Sequence, residues 1–527
     1  MAKRPNVIVI LNDDMGYSDI GCYGGEIDTP NLNRLAARGI RFTQFYNTAR
    51  CCPSRASLLT GLHPHQTGVG LMVDDLRPNG YPGNLNEHCV TIAEVLKQAG
   101  YRTYMSGKWH VASDKFNAND TWPLQRGFDH FYGIINGAAN YFQPGTLVRD
   151  NTNINAEARA DEHYYFTDAI SDNAVDFIKR HQRVGGDDPF FMYVAYTAPH
   201  WPLHAKQADI DKYKGRFDAG WDQLREARVK RMVEMGIIDA AWPLSERDPA
   251  VPDWESADDK AWRLRCMEVY AAQIDCMDQG IGRIIEALAE AGELEQTLIL
   301  FLADNGGCAE EFNPSTGEGF IRNGIATAHT KQGERVSFGN APHLMPGAEN
   351  TYQSYGMAWA NLSNTPFRLY KHWVHEGGIS TPFIAHWPAG IQDKGALRHT
   401  PAQLPDVMAT ILEATASTYP THDKGHVIEP CQGESLLPVF HADRQRATPL
   451  YWEHEGNAAI RIGDWKLVRK YPGEWELYDM QRDRTEVDNV AEAHVQTVSE
   501  MRQQYEDWAR RCGVIPREQI LNIMQSK

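Results

Sequence analysis

Four stretches of this chain are continuously apolar, rich in β-branched and aromatic residues, and run straight into polar or charged groups. Val7–Leu11 leads into Asn12-Asp13-Asp14, and Leu298–Leu302 into Ala303-Asp304-Asn305-Gly306-Gly307. Phe190–Tyr196 leads into Thr197-Ala198-Pro199-His200, and Tyr101–Met105 towards Gly107-Lys108-Trp109-His110. Runs of this kind suit strands covered on both faces, the habit of parallel sheets. Helical patterns fall between them. Asp28-Thr29-Pro30 starts a helix over Asn31–Arg38 that Gly39 stops, Thr91–Gln98 ends before Gly100, and Asp168–His181 and Ala261–Ala291 carry apolar stripes. Strands alternating with helices predict an α/β fold, a mostly parallel sheet with helices on both faces.

In such sheets ligands gather beyond the carboxyl ends of the strands. That rule brings Asp13, Asp14, Lys108, His110, His200, Asp304 and Asn305 to one rim. Taken singly, each has an ordinary explanation: Asp-Asp after a strand caps a helix, Lys-Trp-His lies on a surface, His200 is a satisfied loop histidine. Four strand ends with the same habit point instead to a shared site. Asp13, Asp14, Asp304 and Asn305 offer only oxygen donors, which suit Ca²⁺ or Mg²⁺ and not zinc.

The most specific string is Cys51-Cys52-Pro53-Ser54-Arg55-Ala56-Ser57-Leu58-Leu59-Thr60-Gly61. Pro53 suits the first turn of a helix, and a cysteine just before that start faces free N–H donors and the positive end of the helix dipole. A cysteine there is ordinarily a small buried apolar residue, which does not account for the whole string. The string resembles the signature of the type I (formylglycine-dependent) sulfatases of the alkaline-phosphatase-like superfamily, Cys-x-Pro-Ser-Arg followed by Leu-Thr-Gly, with Cys52 in the variable slot. Asp13-Asp14, Gly107-Lys108-Trp109-His110, Ala198-Pro199-His200, Asp304-Asn305-Gly306, and Pro366–Lys371 followed by Glu376-Gly377-Gly378 resemble the same family. The resemblance spans roughly residues 5 to 480 and is strongest to bacterial arylsulfatases, through Trp201-Pro202-Leu203 and the Gly215–Gly220 stretch.

That resemblance implies an alkaline-phosphatase-like fold and a sulfuric-ester hydrolase acting on small aryl or alkyl sulfates. Cys51 becomes formylglycine through a transient maturation enzyme. One Ca²⁺ per chain, in preference to Mg²⁺, is held by Asp13, Asp14, Asp304, Asn305 and the modified Cys51. In the implied mechanism the hydrated aldehyde attacks sulfur with Asp304 and the metal activating it, Arg55 and Lys108 hold the sulfate oxygens, and Lys371 touches the bridging oxygen. His200, aided by Lys371, protonates the leaving group, and His110 takes the proton that lets the aldehyde re-form. A phosphonate monoester or phosphodiester hydrolase on the same site, and a silent binder of sulfated ligands carrying unmodified Cys51, are the alternatives.

Composition narrows the partners. A formal net charge of −17 over 527 residues argues against nucleic acid and anionic membranes and favours small anionic substrates. Nine scattered cysteines without a C-x-x-C pair imply neither a disulfide framework nor a zinc site. Val7–Leu11 is too short for a signal-peptide core and no apolar run approaches ~18 residues, so the expectation is a cytoplasmic chain with no membrane span, periplasmic if a leader was removed. Oligomeric state is not legible.

The expected organisation is a catalytic α/β domain over 1–446 and a C-terminal subdomain over 447–527. Within the first, 206–236 reads as a helical insertion whose charges form a solvated face, and 306–365 as a long pocket-bordering loop. Within the second, Leu450–Glu453, Ala458–Ile462, Trp465–Arg469 and Glu476–Tyr478 read as short antiparallel strands, and Val495–Arg511 as a helix.

Overall fold

The strand Asn6–Asp13 is buried along its whole length and occupies the middle of an eleven-stranded sheet. This computed structural model describes residues 4–184 and 188–527. From one edge the strands run Leu397–Arg398, Ile40–Tyr46, Ser380–His386, Thr297–Ala303, Asn6–Asp13, Phe190–Pro199, Arg102–Lys108, His130–Ile134, Leu147–Arg149 and Thr152–Asn153, with Ala402–Gln403 also on Ile40–Tyr46. The five from Thr297–Ala303 to His130–Ile134 are parallel, while Ser380–His386 is antiparallel to both its neighbours.

Alternate residues of the central strand feed opposite cores, as the two-residue period of a pleated strand requires. Ile8 and Ile10 pack with the helices Phe166–Val184 and Lys260–Glu290. Val7, Val9 and Leu11 face the helices Cys51–Thr60 and Leu404–Thr415. Both faces are therefore covered, which is why the strands can be apolar throughout. Register then aligns the chemistry: Asp13 pairs with Pro199, Asn12 with Ala303, and Gly107 with Ala195, so the polar strand ends reach the same level.

The helices match the sequence pattern to within a few residues, and Thr91 caps its helix in a reciprocal box with Glu94 (3.1 and 2.9 Å). Three local readings need correction. The Arg102–Lys108 strand continues past Met105 because Gly107, at φ 122°, lets the backbone close on Ala195, whose carbonyl oxygen lies 1.9 Å from where a Cβ would sit. Cys51 is the first residue of its helix, with Arg50 as the cap, not a residue ahead of it. The 206–236 segment forms helices Gln207–Asp211 and Gly220–Glu234, but its charges are not all solvated. Arg228 is fully buried, with Asp19 at 2.8 Å and Glu26 at 2.7 Å, and fastens the insertion to the loop after the first strand.

Residues 306–365 hold the helices Thr316–Arg322 and Gly356–Ser363 and a two-stranded pairing of Ser337–Phe338 with Thr351–Tyr352. Past 446, four antiparallel strands (Leu450–His454, Asn457–Ile462, Trp465–Arg469, Trp475–Asp479) form a second sheet. Its outer face buries Ala458, Ile460 and Leu477 under Tyr505 and Trp508 of the Val495–Arg511 helix. Its inner face packs Trp452 and Val468 against Tyr46, Val374 and Ile379. Beside that seam Glu376 is buried with Lys466 and Arg484, each at 2.8 Å, so the Glu376 of the sequence motif ties the two sheets together instead of entering the site. Among the described residues no helix is long and apolar enough to cross a membrane.

Candidate active site

Neighbouring residues of a strand point to opposite faces, yet Asp13 and Asp14 serve one site. Asp14 leaves the strand at φ 64°, a left-handed turn that swings its carboxylate round to the side of Asp13. Asp304, at the end of the adjacent strand, accepts the Asp14 backbone N–H at 3.3 Å, and Asn305 Nδ2 donates to Asp14 Oδ1 at 2.6 Å. Gly306 follows because the chain passes against Gly377, whose carbonyl oxygen lies 1.9 Å from where a Cβ would be.

Three cations close around these acids. Lys108 Nζ lies 2.5 Å from Asp13 Oδ2, and Arg55 donates to Asp304 Oδ2 through Nη2 (2.8 Å) and Nε (3.1 Å). Lys371 Nζ lies 2.9 Å from Asp14 and 3.4 Å from His200 Nε2. All six charged side chains are buried, which makes their balance costly to disturb. Burial opposes ionisation of Asp13, but Lys108, His200 and Arg55 override it and hold its pKa down to about 2. Asp304 goes the other way, pushed well above the ordinary carboxylate range by burial and by the charge of Asp13. Lys371 stays protonated: burial opposes its charge, but Asp14, Cys308 and Glu310 together outweigh burial and raise it.

Cys51 sits over this floor at the N-terminus of a helix whose ten residues are all buried. Its thiol is held well below the ordinary range, first by the hydrogen bond with Cys52 and then, against burial, by Lys108, His110 and Lys371. Burial pushes Cys52 in the opposite direction, and Cys52 packs away on Met72 and Leu71. His110 reaches Cys51 from a left-handed backbone (φ 55°), and a nitrogen of its ring lies within 4.8 Å of the Cys51 and Cys52 sulfurs. Burial lowers His110 to about 4, so the ring is neutral at pH 7, and its Nδ1 is buried without a partner. Burial likewise lowers His200, whose Nδ1 lies 2.7 Å from the Trp201 carbonyl and whose Nε2 faces Lys371 and Asp14.

The ten residues singled out from the sequence (Asp13, Asp14, Cys51, Arg55, Lys108, His110, His200, Asp304, Asn305 and Lys371) thus form one buried cluster. The oxygen donors fit a hard cation on two grounds. Asp13 Oδ1 and Asn305 Oδ1 are buried acceptors with no hydrogen-bond donor, a state that costs about 1–3 kcal/mol per group. Asp13 and Asp304 also lie close enough for the charge of one to raise the other, a repulsion that a bound cation would relieve.

Three contributors lie outside the site residues singled out from the sequence. Gly137 leaves room for His110, whose ring atoms lie 2.3 Å from where a Cβ would project. Glu310 accepts from Arg50 (2.8 Å) and from the Trp201 indole (2.9 Å), joining the helix cap to the loop after His200. Trp201 packs 4.3 Å from the His200 ring and stacks on Phe320 at 5.2 Å, with Phe312 edge-on at 4.8 Å. Long sequence separation hides Glu310 and Gly137; Trp201 lies beside His200, but its ring partners come from the distant 306–365 segment.

Comparison with known proteins identifies the family. The Sulfatase family model matches residues 5–417, and a model described as N-sulphoglucosamine sulphohydrolase, C-terminal, matches 367–510. An uncharacterised sulfatase of Schizosaccharomyces pombe is 31% identical, covering 98% of this chain and 95% of its own. The arylsulfatase of Klebsiella aerogenes is 35% identical over 78% of this chain and 86% of its own. The crystal structure of Ps i-CgsB in complex with k-i-k-neocarrahexaose shares the fold, with a TM-score of 0.67 and 24% identity over 96% of this chain and 93% of that one. The chain belongs to the sulfatase family and is a sulfatase, an enzyme that cleaves sulfate esters.

Proposed function

We propose that this sulfatase hydrolyses small aryl or alkyl sulfate esters, using formylglycine made from Cys51 and one calcium ion. The observation that carries the substrate class is the aromatic wall of Trp201, Phe312 and Phe320 beside His200. An apolar ring bonded to the sulfate oxygen would lie against it, and offset or edge-on ring pairs add about 0.5–1.5 kcal/mol beyond burial. The Klebsiella relative, an arylsulfatase, supports the same class.

Asp13, Asp14, Asp304 and Asn305 would hold the ion, with the residue at position 51 completing the set. When present, formylglycine supplies a hydrated aldehyde as nucleophile, and calcium polarises the oxygens bound to it. The chain's own residues do the rest. Arg55 and Lys108 supply positive charge to the sulfate oxygens, Lys108 as a point charge and Arg55 from a fork held in place by Asp304 and the Lys108 carbonyl. Fixed cations in a dry pocket need no reorganisation as charge develops, commonly the largest catalytic term. Lys371 and His200 deliver the proton to the departing oxygen. Neutral His110, with its free Nδ1, accepts a proton from the side chain at position 51.

The test compares phenyl sulfate with phenyl phosphonate on protein whose residue 51 has been verified by mass. Preferred turnover of the sulfate supports the proposal; preferred turnover of the phosphonate overturns it.

A further inference from the structure

A second cluster of ligating side chains lies beside the pocket and takes no part in the scheme above. His372 follows Lys371 directly, and its Nδ1 lies 3.2 Å from Glu455 Oε2. His454 packs edge-on against His372, ring centroids 5.5 Å apart. One ligating atom from each of His372, His454 and Glu455 falls within 4.8 Å of the other two.

Two features set this trio apart from a chance ion pair. His454 is 1% exposed and its Nδ1 is buried with no hydrogen-bond partner, an unmet cost in a packed protein. The backbone is also bent to bring the groups together. Glu455 (φ 53°) and Gly456 (φ 85°) form the two-residue turn between paired His454 and Asn457, and His372 stands at φ 93°. Such turns favour Asn or Gly at the first left-handed position, so glutamate here is held against its preference. Arg517 Nη1, 3.4 Å from Glu455 Oε1, occupies one carboxylate oxygen and leaves Oε2 towards His372.

We propose that His372, His454 and Glu455 form a transition-metal site at the edge of the catalytic pocket, selective for Zn²⁺ over the hard cation of the acid cluster. Two imidazoles and one carboxylate are the donors zinc takes in three-ligand sites, with a fourth position open, whereas calcium needs six to eight oxygens. The trio is within reach of the chemistry: His372 adjoins Lys371, its backbone N–H donates to Ala49 at 2.7 Å, and both histidines feel the charge of Arg50, the cap of the Cys51 helix. A zinc ion drawing on His372 would tug Lys371 and place positive charge beside Arg50, so zinc acts as an inhibitor. Binding requires neutral imidazoles, and affinity therefore rises with pH.

The test is a zinc chloride titration by calorimetry on calcium-saturated full-length protein, with arylsulfatase assays in parallel. One equivalent of zinc binds, and turnover falls as the site fills. In His454→Gln and, separately, Glu455→Gln, zinc affinity drops at least tenfold and inhibition moves to correspondingly higher zinc, while turnover without zinc stays near that of the parent. Cobalt substitution gives the visible spectrum of a nitrogen-and-oxygen tetrahedral centre in the parent and not in His454→Gln. Zinc affinity unchanged in both variants, or no zinc-dependent heat, overturns the proposal. Should the protein bind zinc yet turn over no sulfate ester, the site stands and the proposed reaction fails.

Discussion

Replacing His200 with asparagine tests how the leaving group acquires its proton. The His200 Nδ1 hydrogen points at the Trp201 carbonyl (2.7 Å), which leaves Nε2 turned to Lys371 Nζ and Asp14 Oδ2, each at 3.4 Å. Burial keeps the imidazole below its ordinary value, whereas Lys371, raised by Asp14, Cys308 and Glu310 against the effect of burial, holds its proton. Under the proposed mechanism the proton reaches the ester oxygen through a Lys371–His200 pair. Asparagine at 200 keeps a polar side chain there but cannot relay. Loss of a general acid costs 10²–10⁴ in rate, about 3–5 kcal/mol, provided the leaving oxygen needs protonation. Across a series of substituted phenyl sulfates, His200→Asn is expected to lose that full factor with phenol and unactivated alcohols. With nitrophenols, which depart as anions, it is expected to lose less than about tenfold. A plot of log kcat/KM against leaving-group pKa is then much steeper for the variant. Equal losses across the series would refute the reasoning and make His200 a binding or packing residue.

Other consequences can be checked separately. His204 is fully buried, with Nε2 2.6 Å from the Thr351 carbonyl, and burial lowers it from 6.5 to about 4. Between those values the unfolded chain takes up the proton first, so acidification from pH 6.5 to 4 removes stability, about 3 kcal/mol by the lower limit. His204→Gln has no such group, and the stability gap between parent and variant, read from urea midpoints, is expected to shrink by about that amount on going from neutral pH to pH 4; a constant gap counts against the assignment. Arg228→Met strands Asp19 and Glu26 and is expected to cost about 3–5 kcal/mol in the same assay; a loss under about 1 kcal/mol would mean that water replaces the guanidinium. Gly137→Ala forces the His110 ring to move, since its nearest atoms lie 2.3 Å from the new methyl. It is expected to lower kcat at least about tenfold with KM little changed, and unaltered kcat would show that His110 tolerates displacement.

Much of the molecule was legible because the decisive signals are local. The run Val7–Leu11 had to be a strand covered on both faces, and the acids after it had to lie at the strand's carboxyl end. Register did the rest, setting Asp13 beside Pro199 and Asn12 beside Ala303. Charge in the 206–236 segment misled because local composition cannot distinguish a solvated arginine from one buried against distant partners. Arg228 meets Asp19 and Glu26 more than two hundred positions earlier. Glu310, Gly137 and the turn at Glu455-Gly456 were silent for a related reason. Each acts through what the fold brings beside it, and none belongs to a periodic pattern or a motif with fixed spacing.

The central claim is that position 51 carries an aldehyde, not a thiol, when the enzyme turns over. The most direct measurement is mass spectrometry of the peptide containing Cys51, made on preparations spanning a range of specific activity. Conversion of the cysteine lowers the peptide mass by about 18 Da. Specific activity towards phenyl sulfate is expected to rise in proportion to the lighter fraction and to extrapolate to zero where only the cysteine form remains. Full activity in a preparation whose residue 51 is wholly cysteine would contradict the account.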